Sequence, residues 1–393
     1  MRFIDEYRDP ALGRGLTRAI ADAVQPGRRY HLMEFCGGHT HAIAQHGLAD
    51  LLPEAVRLIH GPGCPVCVLP VGRLDMALAL ARSRPDVILC TYGDLMRVPA
   101  SGGDSLYTAR AAGADVRMVY STLDALAVAR ANPHREVVFL AIGFETTTPP
   151  TALALVQAER EGLRNLSVFC NHVLTPPAIV AILADTADAP PLDGIIGPAH
   201  VSTVIGSDAY APCAARFGVP VVIAGFEPLD VLRAIVMLMA QINAGRATVE
   251  TEYTRAVTAT GNRTAQALME QVFTVRESFE WRGLGALPAS ALRIRDAYAA
   301  WDAEARFSMP PRTGREHPAC ACGSVLRGAL APHDCRLFGR ACTPERPQGA
   351  CMVSSEGACA AAWTRRPRLK DARPKDTRPK AQPAAVGSGG GDS

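Results

Sequence analysis

The sequence predicts an α/β protein with two similar parallel-sheet α/β domains and a third, mostly helical domain. Two observations predict the sheets. Short β-branched apolar runs alternate with Ala- and Leu-rich stretches of helical periodicity, and the runs form two sets of four. This alternation is typical of parallel strands joined by right-handed helical crossovers. The third observation is that the strand pattern fades after about Gly245, where helical patterns and then a cysteine-rich segment follow.

The predicted elements follow one another regularly along the chain. The first set of strands covers residues 29–35, 55–61, 86–93 and 115–121. The second set covers residues 136–144, 166–173, 193–201 and 219–226. Helices are predicted between or after these strands at residues 71–83, 123–131, 151–163, 176–186 and 228–242.

Five regions are predicted from these patterns. They are a helical N-terminal segment, 1–30, that packs on the third domain or the first; α/β domains at 31–132 and 133–245; a helical, cysteine-rich domain at 246–363; and a basic tail at 364–393. The two α/β domains are divided near Asn132-Pro133. In the third domain, residues 248–275 and 291–307 are predicted to be helical.

The charge distribution argues against a nucleic-acid-binding body. Eight Lys/Arg and three Asp/Glu between Thr364 and Ser393 give this tail a net charge of +5. The whole chain carries +3, so −2 remains for the rest, which offers no electrostatic footprint for nucleic acid. The tail is rich in Pro, Gly and charge, and we expect it to be a disordered, solvated extension.

The chain is expected to work in the cytoplasm, without a membrane. Its first residues lack the apolar core of a signal peptide, and its longest apolar stretch, 231–242, contains Arg233 and is too short to span a bilayer. Twelve cysteines in a reducing compartment indicate metal, cluster or thiol chemistry rather than structural disulfides. Neither a GxxxxGK[ST] loop nor a GxGxxG fingerprint occurs, so nucleotide-driven chemistry has no support.

Polar and thiol side chains follow the predicted strands at their carboxyl ends. Ligands of open parallel sheets bind beyond those ends, so we expect these side chains to face one cleft. They are Cys36, His39, His41, Cys64, Cys67, Glu145, Thr146, His172 and His200.

Cys36 and His39 place a thiol and an imidazole on one strand-to-helix turn. The two glycines between them allow a ligand to approach the backbone, and an adjacent helix N-terminus would lower the thiol pKa. The alternative is a buried cysteine with a capping histidine.

Cys64 and Cys67 have the spacing of a dithiol. They could be a redox pair, half of a zinc site, or ligands to a less common group.

The polar residues that follow the second set of strands could have structural roles instead of binding a ligand. Glu145 and the threonines after it could bind a polar ligand, and a threonine could cap the next helix with Pro149 at its first turn. Both interpretations are compatible. A lone histidine such as His200 is more often a structural group than a ligand or base.

The strongest chemical signal is a group of six cysteines near the C-terminus. These are Cys320, Cys322, Cys335, Cys342, Cys351 and Cys359. Zinc sites usually use Cys-x2-Cys pairs, which are missing here, so the spacing favours a [4Fe–4S] cluster bound by four thiolates. Two thiols would remain for a redox-active disulfide. The other cysteines, Cys90, Cys170 and Cys213, lie in or near hydrophobic runs and are interpreted as core residues.

Together the motifs resemble one known family. MEFCGGHTHAI, HGPGCPVCV, GFETTTP, GPAHVS and DCRLFGRACTPERPQGACMVSSEGACAA run from Met33 to Ala361, and their order is similar to that of the HypD family of [NiFe]-hydrogenase maturation proteins. The resemblance implies a scaffold that works with HypC in assembling the Fe(CN)2CO unit. HypE, with HypF, delivers the cyanide, and the iron passes to the hydrogenase large-subunit precursor. It also implies two α/β domains, a [4Fe–4S] domain, and an assembly scaffold with redox activity rather than a conventional turnover enzyme.

The resemblance also implies roles for individual residues. Cys36 would bind the iron of Fe(CN)2CO together with a HypC cysteine, and His39 would stand close to it. Cys64 and Cys67 would form the redox dithiol of the cleft. The remaining cleft residues are expected to be Glu145, Thr146 and His200. The expected cluster ligands among the six cysteines are Cys322, Cys335, Cys342 and Cys351.

Two other functions use the same residues. One is a cluster-dependent thiol–disulfide reductase acting on a protein substrate, which needs neither Cys36 nor an iron–cyanide unit. The other is a binding module in which the C-terminal cysteines hold structural zinc and the α/β domains bind a small ligand.

Overall fold

The computed structural model describes residues 5–185 and 190–365, and it confirms the predicted α/β class. The strands are β1 Tyr30–Glu34, β2 Val56–His60, β3 Val87–Thr91, β4 Val116–Met118, β5 Glu136–Gly143, β6 Leu166–His172, β7 Gly194–Pro198, β8 Val221–Ala224, β9 Val249–Thr251, β10 Phe273–Val275, β11 Ser278–Trp281, β12 Gly285–Pro288 and β13 Leu292–Ile294. The eight predicted strands all occur in the predicted places.

Each of the five helices that the periodicity predicts between or after the strands is present, and further short helices lie among them. The helices are α1 Pro10–Asp22, α2 Gly37–His46, α3 Pro65–Val68, α4 Val71–Ser83, α5 Leu106–Ala111, α6 Thr122–Ala131, α7 Thr148–Arg160, α8 Thr175–Ala184, α9 Ala199–Ile205, α10 Ala211–Phe217, α11 Pro228–Asn243, α12 Arg263–Val272, α13 Ala303–Arg306, α14 Cys322–Leu326 and α15 Ala358–Thr364. Among the described residues, none of these helices combines the length and apolar character needed to cross a membrane.

The assignment of strands to sheets differs from the expectation. One parallel sheet has the order β2-β1-β7-β8-β9, and the other has the order β4-β3-β5-β6. The chain leaves the first sheet after β2, builds the whole second sheet, and then returns. The expected division of the strands at Asn132-Pro133 is therefore wrong, since β3 and β5 on either side of it are paired neighbours. The half-exposed patterns of β2 and β4 fit strands at a sheet edge, but no strand's local pattern specifies which strand is its partner.

The N-terminal segment packs against the first sheet. Ile20 of α1 is fully buried and belongs to one hydrophobic cluster with Leu32 of β1 and Leu229 of α11. The segment is expected on the third domain or the first, but its helical partner α11 lies in the predicted 133–245 domain. The basic tail predicted at 364–393 lies outside the described residues, apart from Thr364 and Arg365.

The predicted helical third region is only partly helical. Strand β9 extends the first sheet, and β10–β13 and β11–β12 form two small antiparallel pairs. The reason is a two-residue period: in β11, Phe279 and Trp281 are buried while Ser278 and Glu280 are exposed. Helix α12 lies within the predicted 248–275 stretch, and short helical turns lie within 291–307.

Candidate functional site

Two neighbouring turns at the carboxyl end of the first sheet bring Cys36 against the Cys64 loop. The turns adjoin because β1 and β2 are paired in parallel. The amide of Gly37 donates to the carbonyl of Gly63 over 3.3 Å. A Cβ on Gly63 would lie 2.4 Å from the amide nitrogen of Cys36, so a side chain at residue 63 would separate the turns. Glycine at this position permits the close approach.

Cys64 and Cys67 are joined as a disulfide, with their Cα atoms 5.2 Å apart. Cys64 is the N-cap of the short helix α3, and its Sγ accepts a hydrogen bond from the amide of Cys67 over 3.2 Å. Both residues are buried. A buried pair with this spacing is chemically a two-electron couple, held in a loop that contacts the Cys36 turn.

Cys36 is half-buried and is the N-cap of α2. Burial, and next the nearby carboxylate of Glu356, raise the pKa of the Cys36 thiol to about 12. The amides of Gly38 and His39 lower this pKa, as a helix N-terminus should, but they are outweighed. The expectation of a lowered thiol pKa is therefore wrong, because desolvation exceeds the effect of the helix end.

The buried carboxylate of Glu34 holds the Cys36 turn in place through hydrogen bonds. One oxygen of Glu34 accepts from the amide of Cys36 over 3.0 Å. The other accepts from the hydroxyl of Thr40 and lies 2.7 Å from Nδ1 of His60. Sequence reasoning missed Glu34 and His60. The available signal was a charged residue at the end of an apolar strand, which is rarely buried without partners.

His39 is fully buried and presents one unused ring nitrogen. Its Nε2 lies 3.0 Å from the carbonyl oxygens of both Ala224 and Gly225, which assigns the ring proton to Nε2. Nδ1 then carries a lone pair, and it has no hydrogen-bond partner among the described residues. Burial lowers the pKa of His39, so the ring is neutral at pH 7. A neutral imidazole with a free nitrogen can accept a hydrogen bond or ligate a metal.

His200 joins the same group through an aromatic contact. The ring of Phe226 has its centroid 4.7 Å from that of His39 and 4.1 Å from that of His200. His200 is exposed, whereas His39 is buried. The structure therefore brings His200 beside His39 but leaves His41, another predicted residue, exposed on α2.

At the end of the second sheet, Glu145 and Nε2 of His172 are bound to protein atoms, whereas Nδ1 of His172 has no hydrogen-bond partner among the described residues. The carboxylate of Glu145 accepts from both the amide and the hydroxyl of Thr175, each over 2.8 Å. Burial raises the pKa of Glu145 to about 7. Nε2 of His172 lies 3.0 Å from the hydroxyl of Thr151, and burial lowers the pKa of His172 to about 4. Thr146 is exposed.

Tyr210, which follows the GPAHVS motif, is fully buried. Burial, and next the charge of Glu145, raise the pKa of Tyr210 well above its usual value. The hydroxyl of Tyr210 is 3.0 Å from that of Ser202, in the GPAHVS motif. Tyr210 was not predicted; its signal is only a tyrosine shortly after that motif.

The six C-terminal cysteines line one cavity, together with apolar side chains such as Val325 and Phe338. The Sγ atoms of Cys322 and Cys351 are 2.7 Å apart. Across residues 5–185 and 190–365, no group of three or more His, Cys, Asp or Glu is arranged to hold a metal ion. A [4Fe–4S] cluster takes four cysteine thiolates, so the six thiols around this cavity are the kind of donor that such a cluster requires; zinc accepts the same donors.

The cysteine-rich segment also reaches the Cys36 turn. A Cβ on Gly37 would lie 2.3 Å from Cβ of Glu356, so the two backbones pack closely. Burial raises the pKa of Glu356. Sequence reasoning missed this residue, since nothing local indicates that residue 356 returns to residue 36.

Comparisons with known proteins agree on one family. The profile of HypD, described as the hydrogenase formation hypA family, matches residues 11–366. The hydrogenase expression/formation protein HupD of Azotobacter chroococcum mcd 1 is 65% identical over 366 residues, covering 92% of this chain and 96% of that protein. The hydrogenase maturation factor HypD of Azotobacter vinelandii has the same identity and coverage. The hydrogenase maturation factor HypD of Escherichia coli (strain K12) is 48% identical over 368 residues, covering 92% and 97%.

Proposed function

The chain belongs to the HypD family of hydrogenase maturation factors, and from this premise we propose that it is the scaffold on which an Fe(CN)2CO unit is assembled. The cargo iron would bind Cys36, shared with a cysteine of a HypC-like chaperone. The observation that carries the proposal is the contact between the Cys36 turn and the Cys64–Cys67 loop, with the unused Nδ1 of His39 on the same turn.

The donor set suits the cargo. Thiolate sulfur is a soft ligand and imidazole also suits iron, so Cys36 and His39 offer two kinds of ligand or contact to Fe(II). A thiol must lose its proton to bind a metal. Because the pKa of Cys36 is about 12, its thiol stays protonated at pH 7 until a metal displaces the proton. Glu34 holds the Cys36 amide while this happens.

The Cys64–Cys67 pair would supply or accept two electrons beside the iron. Reduction of this disulfide takes two electrons and two protons and gives two thiols. The residues that would hold a [4Fe–4S] cluster are four of the six cysteines around the C-terminal cavity, with Cys322, Cys335, Cys342 and Cys351 still the expected ligands. When bound, such a cluster supplies single electrons.

The proposed partners follow from the same assignment. A HypC-like chaperone would dock over the Cys36 turn, and HypE, working with HypF, would deliver the cyanide there. The hydrogenase large-subunit precursor would receive the iron through the chaperone. Glu145, Thr146 and His200 would border the cleft, with Glu145 acting mainly on the start of α8 through Thr175.

Iron analysis tests the proposal. The protein, co-expressed anaerobically with its maturation partners and purified with the chaperone, should contain one iron more than the Cys36→Ala protein. Acid-labile sulfide should be equal in the two, because the cluster is held elsewhere. Equal iron contents in both would contradict the proposal.

A cluster-dependent thiol–disulfide reductase is the second candidate, favoured by the Cys64–Cys67 disulfide. It predicts that Cys36→Ala leaves disulfide reduction of a protein substrate intact and changes no iron content. The scaffold predicts the loss of one iron and of hydrogenase maturation in the same variant.

A further inference from the structure

Arg282 lies at the tip of the β11–β12 hairpin and contacts the end of α3, the short helix that carries Cys67 and is capped by Cys64 (the dithiol helix). Its backbone amide donates to the carbonyl of Val68 over 2.8 Å, and its Nε donates to the carbonyl of Leu69 over 2.9 Å. Val68 and Leu69 directly follow Cys67, at the C-terminal end of α3. Arg282 therefore holds the C-terminal end of α3, the helix that Cys64 caps at its N-terminal end.

The same hairpin tip packs against the cysteine-rich segment. Gly283 has φ 78°, and a Cβ on it would lie 2.4 Å from Cα of Gly323, the residue after Cys322. Both the left-handed backbone and the close contact require glycine here. Arg282 and Cys322 also line one cavity of about 460 Å³. The tip thus bridges the Cys64–Cys67 helix and the cysteine cavity.

The charge of Arg282 is poorly compensated. Its side chain is only 2% exposed. The nearest carboxylate, Glu316, lies 3.6 Å from Nε and is 39% exposed. Nη2 is buried and has no hydrogen-bond partner in the part of the chain that the structure describes. Burying a guanidinium without a full partner is costly, so a site that uses the positive charge is expected nearby.

We propose that Arg282 is a positioning residue that serves as the fixed counter-charge of the group held in the cysteine cavity, while anchoring the dithiol helix beside it. This inference rests on the proposed function, which places a [4Fe–4S] cluster there. Guanidinium stays protonated at any physiological pH. Its charge favours the more negative, reduced form of the cluster, because net charge around a cluster sets its reduction potential.

The test is a potentiometric titration of the whole, anaerobically purified protein, followed by electron paramagnetic resonance. In Arg282→Met, the ratio of reduced to oxidised cluster at the wild-type midpoint should fall about tenfold, which is about 59 mV for a one-electron couple. Arg282→Lys keeps the charge and should recover most of the ratio. A merely structural role would lower the unfolding temperature without moving the midpoint.

A second variant keeps the inference testable if Arg282→Met does not fold. Glu316→Gln removes the negative partner at a half-exposed position, and it should raise the ratio of reduced to oxidised cluster about threefold. The control is Arg276→Met in the same region. Arg276 bonds to Leu292, Cys170 and Glu304, and neither Arg276 nor these partners line the cavity that Arg282 and Glu316 share with Cys322, so its loss should not move the midpoint.

Unchanged midpoints in Arg282→Met and Glu316→Gln, with the cluster present, would overturn this inference and leave the proposed function standing. A wild-type protein without a cluster would overturn both. The midpoint could also fall in Arg282→Met and rise in Glu316→Gln while the protein never holds iron on Cys36. That result would support the role of Arg282 and contradict the scaffold function.

Discussion

The carboxyl ends of the two parallel sheets differ in what their polar residues do. At the first sheet, Cys36 has a protonated thiol, His39 has a ring nitrogen without a partner among the described residues, and Cys64 and Cys67 form a disulfide. At the second sheet, Glu145 is bound to Thr175, and Nε2 of His172 is bound to a threonine hydroxyl, while Nδ1 of His172, like that of His39, has no partner among the described residues.

The difference separates reactive groups from supporting ones. Since both histidines have an open Nδ1, the difference lies in their neighbours: His39 shares its turn with the Cys36 thiol and adjoins the Cys64–Cys67 disulfide, whereas the carboxylate of Glu145 at the second sheet has both oxygens bound to Thr175. We therefore expect the first sheet to provide the chemistry of the candidate site. The second sheet contributes Gly143 and Thr147 to a cavity of about 370 Å³ that Pro65, Val66 and Glu356 also line.

Loss of a dithiol sulfur should have the largest effect. Cys64→Ser removes the two-electron couple, and we expect hydrogenase maturation to fall at least about 100-fold, since nothing else in the Cys36 turn can replace it. The measurement is hydrogenase activity in cells that carry the variant as their single copy. Cys90→Ala, in the core of the second sheet, is the matched control and should mature hydrogenase normally. Normal hydrogenase maturation in Cys64→Ser would show that the Cys64–Cys67 couple is not needed for maturation.

The two buried histidines should behave differently. His39→Gln can still donate to the carbonyls of Ala224 and Gly225, but it lacks the free ring nitrogen. We expect maturation to fall about 10- to 100-fold, as for groups that support a metal site. His172→Gln should cost about 1–2 kcal/mol of unfolding free energy and leave maturation within a fewfold of wild type. Equal loss of maturation in both variants would break the comparison.

Glu145 should give the protein a distinct pH dependence. Its pKa is about 7 in the folded state and about 4.5 when unfolded, so the folded state binds the proton more tightly. This contribution is complete below about pH 4.5 and is lost as the pH rises through about 7, a change of about 3 kcal/mol.

Urea unfolding at several pH values measures that contribution as a difference. Subtracting Glu145→Gln from wild type isolates it, because Glu252, whose pKa burial also raises to about 7, is present in both proteins. A difference that does not change between pH 4.5 and pH 8 would show that the buried carboxylate is not the source.

Much of the site could be predicted because its chemistry lies in short strand-to-helix turns. Cys36, Cys64 and Glu145 each follow a strand whose apolar pattern is clear, and the structure has those strands in place. Strand pairing could not be predicted, since β2 and β7 flank β1 from distant parts of the chain. The roles of Glu34 and Glu356 depend on contacts that no local pattern contains, and the high pKa of Cys36 depends on burial, which only the packed structure sets.

The smallest changes in unfolding free energy are expected at Thr146 and Thr148, which should differ from each other. Thr148 is buried, and its hydroxyl donates to the carbonyl of Phe144 over 3.1 Å. Thr148→Val should therefore lower the unfolding free energy by about 1 kcal/mol, while Thr146→Val, at an exposed position, should change it by less than about 0.5 kcal/mol. Thermal unfolding measures both. A larger loss for Thr146 would mean that its hydroxyl supports the fold as well.

Infrared spectroscopy tests the central claim most directly. The sample is the anaerobically purified protein, co-expressed with its maturation partners, compared with Cys36→Ala prepared in the same way. If Cys36 holds an Fe(CN)2CO unit, the wild-type sample should show cyanide and carbonyl stretching bands and Cys36→Ala should show none. A cluster-containing wild-type protein without those bands would contradict the scaffold and favour the cluster-dependent reductase.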